Sequence, residues 1–325
     1  MRSVWFKDGG ISFREGPEPA LGGGEVLIRP LVAGICNTDI ELLLGYHQFE
    51  GVAGHEFVGV VEKSPDAPQL VGRRVVCEIN RGCGQCSWCQ AGNQRHCPSR
   101  KVIGIKAWAG AFAEYVKAPL ANVHLVDESI GDEQAVFVEP LAAALQISQQ
   151  VHITNSTRTV VLGDGKLGLL IALALRHYNP GLLLVGRHEN KLAIAREQGV
   201  RTLQVGPLDP LAGLGKRLGS FDLVIEATGK REGIDHALDL VRAAGTIVLK
   251  TTTHDRVDMQ LARVVVDEIT VVGSRCGDFG LALAFLKNKW VDVLPLVEAV
   301  YKLEEFKAAF DHARRPGAKK VLVRF

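Results

Sequence analysis

Cys83, Cys86, Cys89 and Cys97 fall within fifteen residues, in the run C-G-Q-C-S-W-C-Q-A-G-N-Q-R-H-C, with two residues between each of the first three and seven before the last. Thiolates at that spacing sit in tight turns where all four sulfurs can converge on one tetrahedral Zn²⁺. Disulfides suit the pattern poorly, because each cysteine would have to bridge a near neighbour. Packing alone does not call for four thiols in so short a run. The segment, at about residues 80–100, reads as a closed structural zinc lobe. Four protein ligands leave no open coordination position, so this zinc holds a loop together rather than doing chemistry.

The chain around the lobe is 325 residues long, 47% hydrophobic and 23% charged, with a formal net charge of +2. That length favours two domains over one. The near-neutral charge gives no electrostatic case for nucleic acid or an anionic membrane as partner. No apolar run approaches the roughly 20 residues needed to span a bilayer. No apolar leader precedes the first strand-like runs, so nothing points to an oxidising compartment, and the expected location is the cytoplasm. Of the other cysteines, Cys77 lies in R-R-V-V-C-E-I and reads as a small buried hydrophobe. Cys276 follows G-S-R and is assigned no role.

Up to about Ile130 the chain is rich in Gly, Pro and short β-branched runs such as E-V-L-I-R-P-L-V-A and H-E-F-V-G-V-V-E. Short strands broken by Gly or Pro turns predict an irregular β-barrel-like domain. From Glu133 to Gln150 the pattern turns to an Ala/Leu/Gln-rich helix, with Pro140 kinking it or marking a new start. Apolar strands then alternate with amphipathic helices, beginning at T-V-V-L (Thr159 to Leu162), which predicts a parallel sheet covered on both faces. The expected division is 1–140, 141–274, and a return to the first domain over 275–325.

Gly163, Gly165 and Gly168 form G-D-G-K-L-G directly after that first strand and at the head of a helix running through Leu169 to Arg176, with Lys166 and Leu167 within the motif as further candidate cofactor contacts. A lone G-x-G-x-x-G is weak, but the strand–turn–helix setting gives it a mechanical meaning. The first glycine permits the turn, the second lets a pyrophosphate approach the backbone, and the third lets helix and strand pack closely. An NAD site usually presents Asp or Glu at the end of the next strand to bind the ribose hydroxyls. Here L-L-L-V ends in Gly186, Arg187 and His188, with Lys191 one turn into the helix. Glycine leaves room for a 2′-phosphate and Arg187 can form charge-assisted bonds to it, so NADP(H) is expected ahead of NAD(H). The alternative is a solvated Arg187, with Glu189 serving the ribose.

Cys36 in G-I-C-N-T-D, His55 and Glu56 in G-H-E-F-V-G, and Glu139 in V-F-V-E-P-L-A could each, taken alone, be core residues. Together with the cysteine lobe and the glycine motif, and in the order G-I-C-x-T-D, G-H-E, lobe, G-A-F-A-E-Y, E-P-L, G-x-G-x-x-G, E-A-T-G and closing strand, they are another matter. The chain resembles the zinc-dependent medium-chain dehydrogenase/reductase family, the alcohol, sorbitol, threonine and glucose dehydrogenase group, over essentially its whole length. The resemblance implies an α/β protein with a GroES-like irregular β-barrel catalytic domain plus a doubly wound parallel-sheet (Rossmann) domain. It implies Zn²⁺ in a catalytic as well as a structural site, with Cys36 and His55 as ligands of the catalytic ion and either Glu139 or Glu56 as the third. Asp39 takes the place of the carboxylate that orients the histidine, and Thr38 that of the hydroxyl relaying the substrate proton. Glu41 stands where the family usually has a relay histidine. Thr228 in E-A-T-G is expected to line the cofactor crevice, and Ser274, Arg275 and Lys319 are candidate contacts by position. Tyr46, His47, Phe49, Trp88 and Trp108 lie in segments that approach the cleft in such enzymes, although aromatics there are more often packing groups.

The implied activity is hydride transfer between a nicotinamide and the hydroxyl/carbonyl pair of an alcohol, polyol or sugar, by a homodimer or homotetramer. A metal-free quinone or enoyl reductase of the same fold has no use for Cys36, His55 and Glu139 as a set. A non-catalytic nucleotide-binding protein would bind cofactor without turnover.

Overall fold

The strand Glu25–Ile35, eleven residues long, is the spine of the first half of the molecule, and three other strands read their register from it. These facts come from a computed structural model, which describes residues 1–206, 213–252 and 257–325, the side chain of His47 excepted. On one edge of the spine runs Glu56–Lys63, with Gly34 opposite Glu56. On the other, the C-terminal strand Lys320–Arg324 pairs antiparallel with Val321 opposite Ile35, and Val116–Pro119 pairs with the start of the spine. The β-branched and apolar runs seen in the sequence therefore close on one another in a seven-stranded sheet, joined by a three-stranded sheet built on Arg2–Lys7. Its core includes an aromatic cluster in which Phe6 meets Phe310 edge-on at 5.4 Å and Phe112 meets Phe306 at 4.7 Å. Such edge-to-face pairs add to the area buried.

Two compact units emerge. The first comprises Met1–Glu139, Ala282–Asn288 and Val297–Phe325; the second comprises Pro140–Leu281 and Lys289–Leu296. The expected return of everything after residue 274 to the first unit is thus too simple. Residues 289–296 stay with the second because Trp290 stacks on His177 at 4.3 Å and Gln198 exchanges two hydrogen bonds with the backbone of Asp292, at 2.8 and 3.1 Å.

The second unit holds a six-stranded sheet, parallel in every pairing, in the order Arg201–Gln204, Leu183–Gly186, Thr159–Leu162, Phe221–Glu226, Val241–Leu249, Thr270–Gly273. Numbered along the chain this is 3-2-1-4-5-6, a doubly wound sheet whose direction of winding reverses at its first strand, where dinucleotides bind in such folds. All four residues of Thr159–Leu162 are buried, as are eight of the ten residues of the following helix Lys166–Leu175. A strand covered on both faces needs that uninterrupted apolar run. The expected helix over 133–150 is two: Asp132–Ala135, then Val138–Gln150 with Pro140 in its first turn, where a missing N–H is tolerated. Among the described residues no helix is long and apolar enough to cross a membrane.

Candidate active site and zinc lobe

Sheet register assembles the site. Gly34 lies opposite Glu56, and Lys320 is the residue before Val321 on the strand that flanks the other edge of the spine. Cys36 follows the spine directly and forms the N-cap of the helix Asn37–Leu43. The sulfur of Cys36, a ring nitrogen of His55 and a carboxylate oxygen of Glu56 all lie within 4.8 Å of one another. His55 and Glu56 are buried and Cys36 half-buried. Gly34 has to be glycine here, since a Cβ would come within 2.7 Å of the Glu56 Oε2.

Asp39 supports this trio from behind. Its carboxylate is fully buried and accepts the N–H of Cys36 at 2.8 Å and that of Gly54 at 3.2 Å. Asp39 Oδ1 is also 3.3 Å from His55 Nδ1, a distance set by charge rather than by hydrogen-bond direction, since that buried nitrogen has no well-aligned partner. Burial alone would lower the His55 pKa, yet the Asp39 carboxylate and the Cys36 sulfur raise it well above the ordinary histidine value. The buried Asp39 carboxylate behind the imidazole, with the Cys36 sulfur and the Glu56 carboxylate beside it, makes a surrounding that fits a cation. The thiol, imidazole and carboxylate set is one that Zn²⁺ accepts, and three protein ligands leave a fourth position open. Thr38 sits alongside, its Oγ1 accepting from the Cys36 thiol at 3.7 Å.

The two carboxylates expected as the third ligand stand differently with respect to this cluster, although both act on Lys320. Glu56 belongs to the cluster; Glu139, half-buried in the first turn of Val138–Gln150, stands outside it. Lys320, which belongs to none of the motifs, completes the group. Its side chain is 4% exposed and pairs with the Glu56 Oε2, itself 1% exposed. Burial works to lower the Lys320 pKa, but Glu56, Cys36 and Glu139 together raise it. In the metal-free protein, Lys320→Met would strand the Glu56 carboxylate without its counter-charge, a change expected to cost about 3–5 kcal/mol in unfolding free energy. Urea denaturation checks this, and adding Glu56→Gln to the same chain should restore most of the loss.

Of the aromatics expected near the cleft, Phe49 packs edge-on against Phe6 at 6.5 Å, in the core. Trp88 lies against His96 with the rings tilted, 5.4 Å between centroids, inside the cysteine lobe, and Trp108 lies under the Arg81 guanidinium at 4.8 Å. Tyr46 opens a short 3-10 turn, and the side chain of His47 lies outside the described residues.

The lobe is closed at its base by an antiparallel ribbon in which Asn80 faces Val102 and Arg81 faces Lys101. The sulfurs of Cys83, Cys86, Cys89 and Cys97 all lie within 4.8 Å of one another, and all four cysteines are free. The Cys86–Cys89 sulfur separation of 3.6 Å is far beyond the ~2.05 Å of a disulfide. Backbone N–H groups of Gln85 and Cys86 pull the Cys83 pKa down to about 6, favouring the thiolate that metal binding requires.

In the second unit, Gly163 turns with φ of 108° and Gly168 could carry no Cβ, which would fall 2.0 Å from the Gly163 carbonyl oxygen. Gly165, the N-cap of Lys166–Leu175, has open space where a Cβ would project. That is the arrangement a pyrophosphate needs above a helix N-terminus. Thr228 lies two residues past the strand Phe221–Glu226, with its N–H and hydroxyl both donating to Glu226 Oε1, at 2.8 and 2.6 Å. Ser274 Oγ and the Arg275 carbonyl meet the ammonium of Lys250, at 3.4 and 3.2 Å.

The alcohol dehydrogenase GroES-like domain family matches residues 22–128, and the glucose dehydrogenase C-terminus family matches residues 132–325. The L-threonine 3-dehydrogenase of Streptomyces avermitilis is 30% identical over 334 residues, covering 96% of each chain. The sorbitol dehydrogenase of Halalkalibacterium halodurans is 29% identical, covering 97% of this chain and 96% of the relative. Among solved structures, an alcohol dehydrogenase (rspB) of E. coli CFT073, complexed with NADH, superposes with a TM-score of 0.93 at 26% identity, covering 100% of this chain and 99% of that one. The chain belongs to the zinc-dependent medium-chain dehydrogenase/reductase family, and is by that membership a nicotinamide-dependent oxidoreductase.

Proposed function

We propose that this protein is a zinc-dependent dehydrogenase that prefers NADP(H) and interconverts a small alcohol, polyol or sugar hydroxyl with its carbonyl, working as a homodimer or homotetramer in the cytoplasm. The observation that carries the reading is the convergence of Cys36, His55 and Glu56 on one point, backed by Asp39 and Lys320. In that reading these three side chains hold the catalytic zinc, and the four cysteines of the lobe hold a structural one. Bound there, zinc would supply Lewis acidity toward the substrate oxygen.

The chain's own residues do the rest. Asp39 fixes the His55 ring, the role a carboxylate behind a metal-binding imidazole plays generally. Thr38, at 3.7 Å from the Cys36 sulfur, is placed to take the hydroxyl proton of a substrate. Glu41 stands at the usual relay position, so the family's relay histidine has no counterpart here. Glycines 163, 165 and 168 seat the pyrophosphate.

Preference for NADP(H) is supported by what the acids near the ribose position are doing. Glu189, the alternative ribose acceptor, is paired with Arg196, whereas Arg187 is exposed. A screen of alcohols, polyols, aldoses and their carbonyl partners, followed by NADPH absorbance, tests the activity. Metal analysis of the purified protein should find about two zinc ions per chain, as two sites of these ligand types require. A single zinc would leave only the lobe standing.

A further inference from the structure

The glycine motif has a second occupant of interest, the residue between its first two glycines. Asp164 is 6% exposed, and its Oδ2 accepts the N–H of Arg187 at 2.7 Å and the N–H of His188 at 2.6 Å. Both of its oxygens are also 3.0 Å from His188 Nδ1. Gly186 makes this possible: a Cβ there would fall 2.5 Å from Asp164 Cβ and 2.6 Å from its Oδ2. The position where many dinucleotide sheets carry a ribose-binding acid is therefore empty of side chain because a carboxylate from the preceding loop fills the space beneath it.

An ionised carboxylate has about four lone-pair sites, and three donors already face this one. It is better suited to bracing the corner between Leu183–Gly186 and the helix Glu189–Glu197 than to reading a ribose. Burial alone would raise the Asp164 pKa, but the His188 and Arg187 donors hold it below the usual aspartate range, so the brace is anionic at neutral pH. With two successive N–H groups turned inward, the backbone of Arg187 and His188 is pinned, and the Arg187 carbonyl is held in turn by Gln204 Nε2 at 3.2 Å. The Arg187 side chain is left exposed.

We propose that Asp164 is the positioning residue for 2′-phosphate selectivity: by pinning the Gly186–His188 corner it presents the Arg187 guanidinium to the phosphate that distinguishes NADP(H) from NAD(H). The inference rests on the cofactor preference given above. Asp164 itself touches no part of the cofactor; it acts through Arg187. Its loss would orphan two backbone donors and free the corner, so the bond from Arg187 to phosphate would lose its preset geometry.

The test is direct binding, by titration of the intact protein with NADPH and with NADH, and the readout is the ratio of the two dissociation constants. Asp164→Ala should shrink the preference for NADPH by about tenfold, the effect of one charge-assisted bond. Asp164→Asn, which keeps one acceptor oxygen, should give a smaller shift in the same direction. Asp164→Ala introduced into Arg187→Ala should move the ratio little further, because the two residues act in series. A ratio unchanged in both single variants, including one in which both cofactors weaken together, overturns the proposal. So does an additive double variant. Should Asp164→Ala fail to fold, the ratio in Asp164→Asn decides alone. A wild-type protein that binds NADH more tightly would refute the NADP(H) preference, while a shifted ratio in the variants would still uphold the role of Asp164. A wild type that prefers NADPH, with ratios unmoved by substitution, does the reverse.

Discussion

Cys36→Ser is expected to lower kcat by about a thousandfold or more while leaving the fold and NADPH binding nearly intact. A serine hydroxyl stays protonated at neutral pH and is a poor partner for Zn²⁺, so the substitution removes one of three candidate ligands and with it the ion. Metal ions contribute several kcal/mol of charge stabilisation in such reactions, and each ~1.4 kcal/mol is tenfold in rate. The fold should tolerate the change, because the structural part played by residue 36 is its backbone N–H bond to Asp39 at 2.8 Å, which serine preserves. The glycine motif at 163–168 belongs to the second unit. Three measurements on one preparation check the prediction: steady-state rate, zinc content falling by about one ion per chain, and NADPH affinity by titration. A variant that keeps more than about a tenth of its turnover would remove Cys36 from the chemistry.

What could be seen in the sequence, and what could not, follows the distance along the chain over which each feature is built. The cysteine lobe closes within fifteen residues, and the glycine turn within six, so their spacing alone carries the geometry. Cys36, His55 and Glu56 were legible through motif order, which stands in for the sheet register that brings residue 56 opposite residue 34. Lys320 was not. It meets Glu56 across 264 positions of sequence, and only the pairing of the final strand with Glu25–Ile35 puts it there. Asp164 was hidden differently: it sat inside a motif whose glycines drew the explanation, while its partners lie 23 and 24 residues downstream. The choice between Glu56 and Glu139 could not be made from composition either, since both are acids beside apolar runs. The strand that carries Glu56 puts it in the cluster with Cys36 and His55, and that placement is set by sheet register rather than by residue type.

The opposite outcome is expected at the lobe, where Cys86→Ser should damage the fold before it damages the chemistry. The lobe has little regular structure to hold it without a metal. Cys83 is exposed, Cys86 and Cys89 are half-buried and Cys97 alone is buried, and the base of the lobe is a ribbon of two residues on each side. Inside it, Ser87–Gln90 is a single turn of helix, too short to be stable by itself. Structural zinc sites supply folding free energy directly, on the order of 10 kcal/mol in small zinc modules. Losing one sulfur should therefore open the segment from Cys83 to Cys97, with a loss on the order of 5 kcal/mol or more of local stability. Limited proteolysis should cut within residues 83–97 of the variant and spare the unaltered chain, and thermal unfolding should begin earlier. Zinc content should again fall by about one ion per chain, now with the Cys36 site still loaded and the surviving folded fraction turning over at a normal rate per active site. Protease resistance equal to that of the parent, with zinc still at its full complement, would mean that the four sulfurs share no ion.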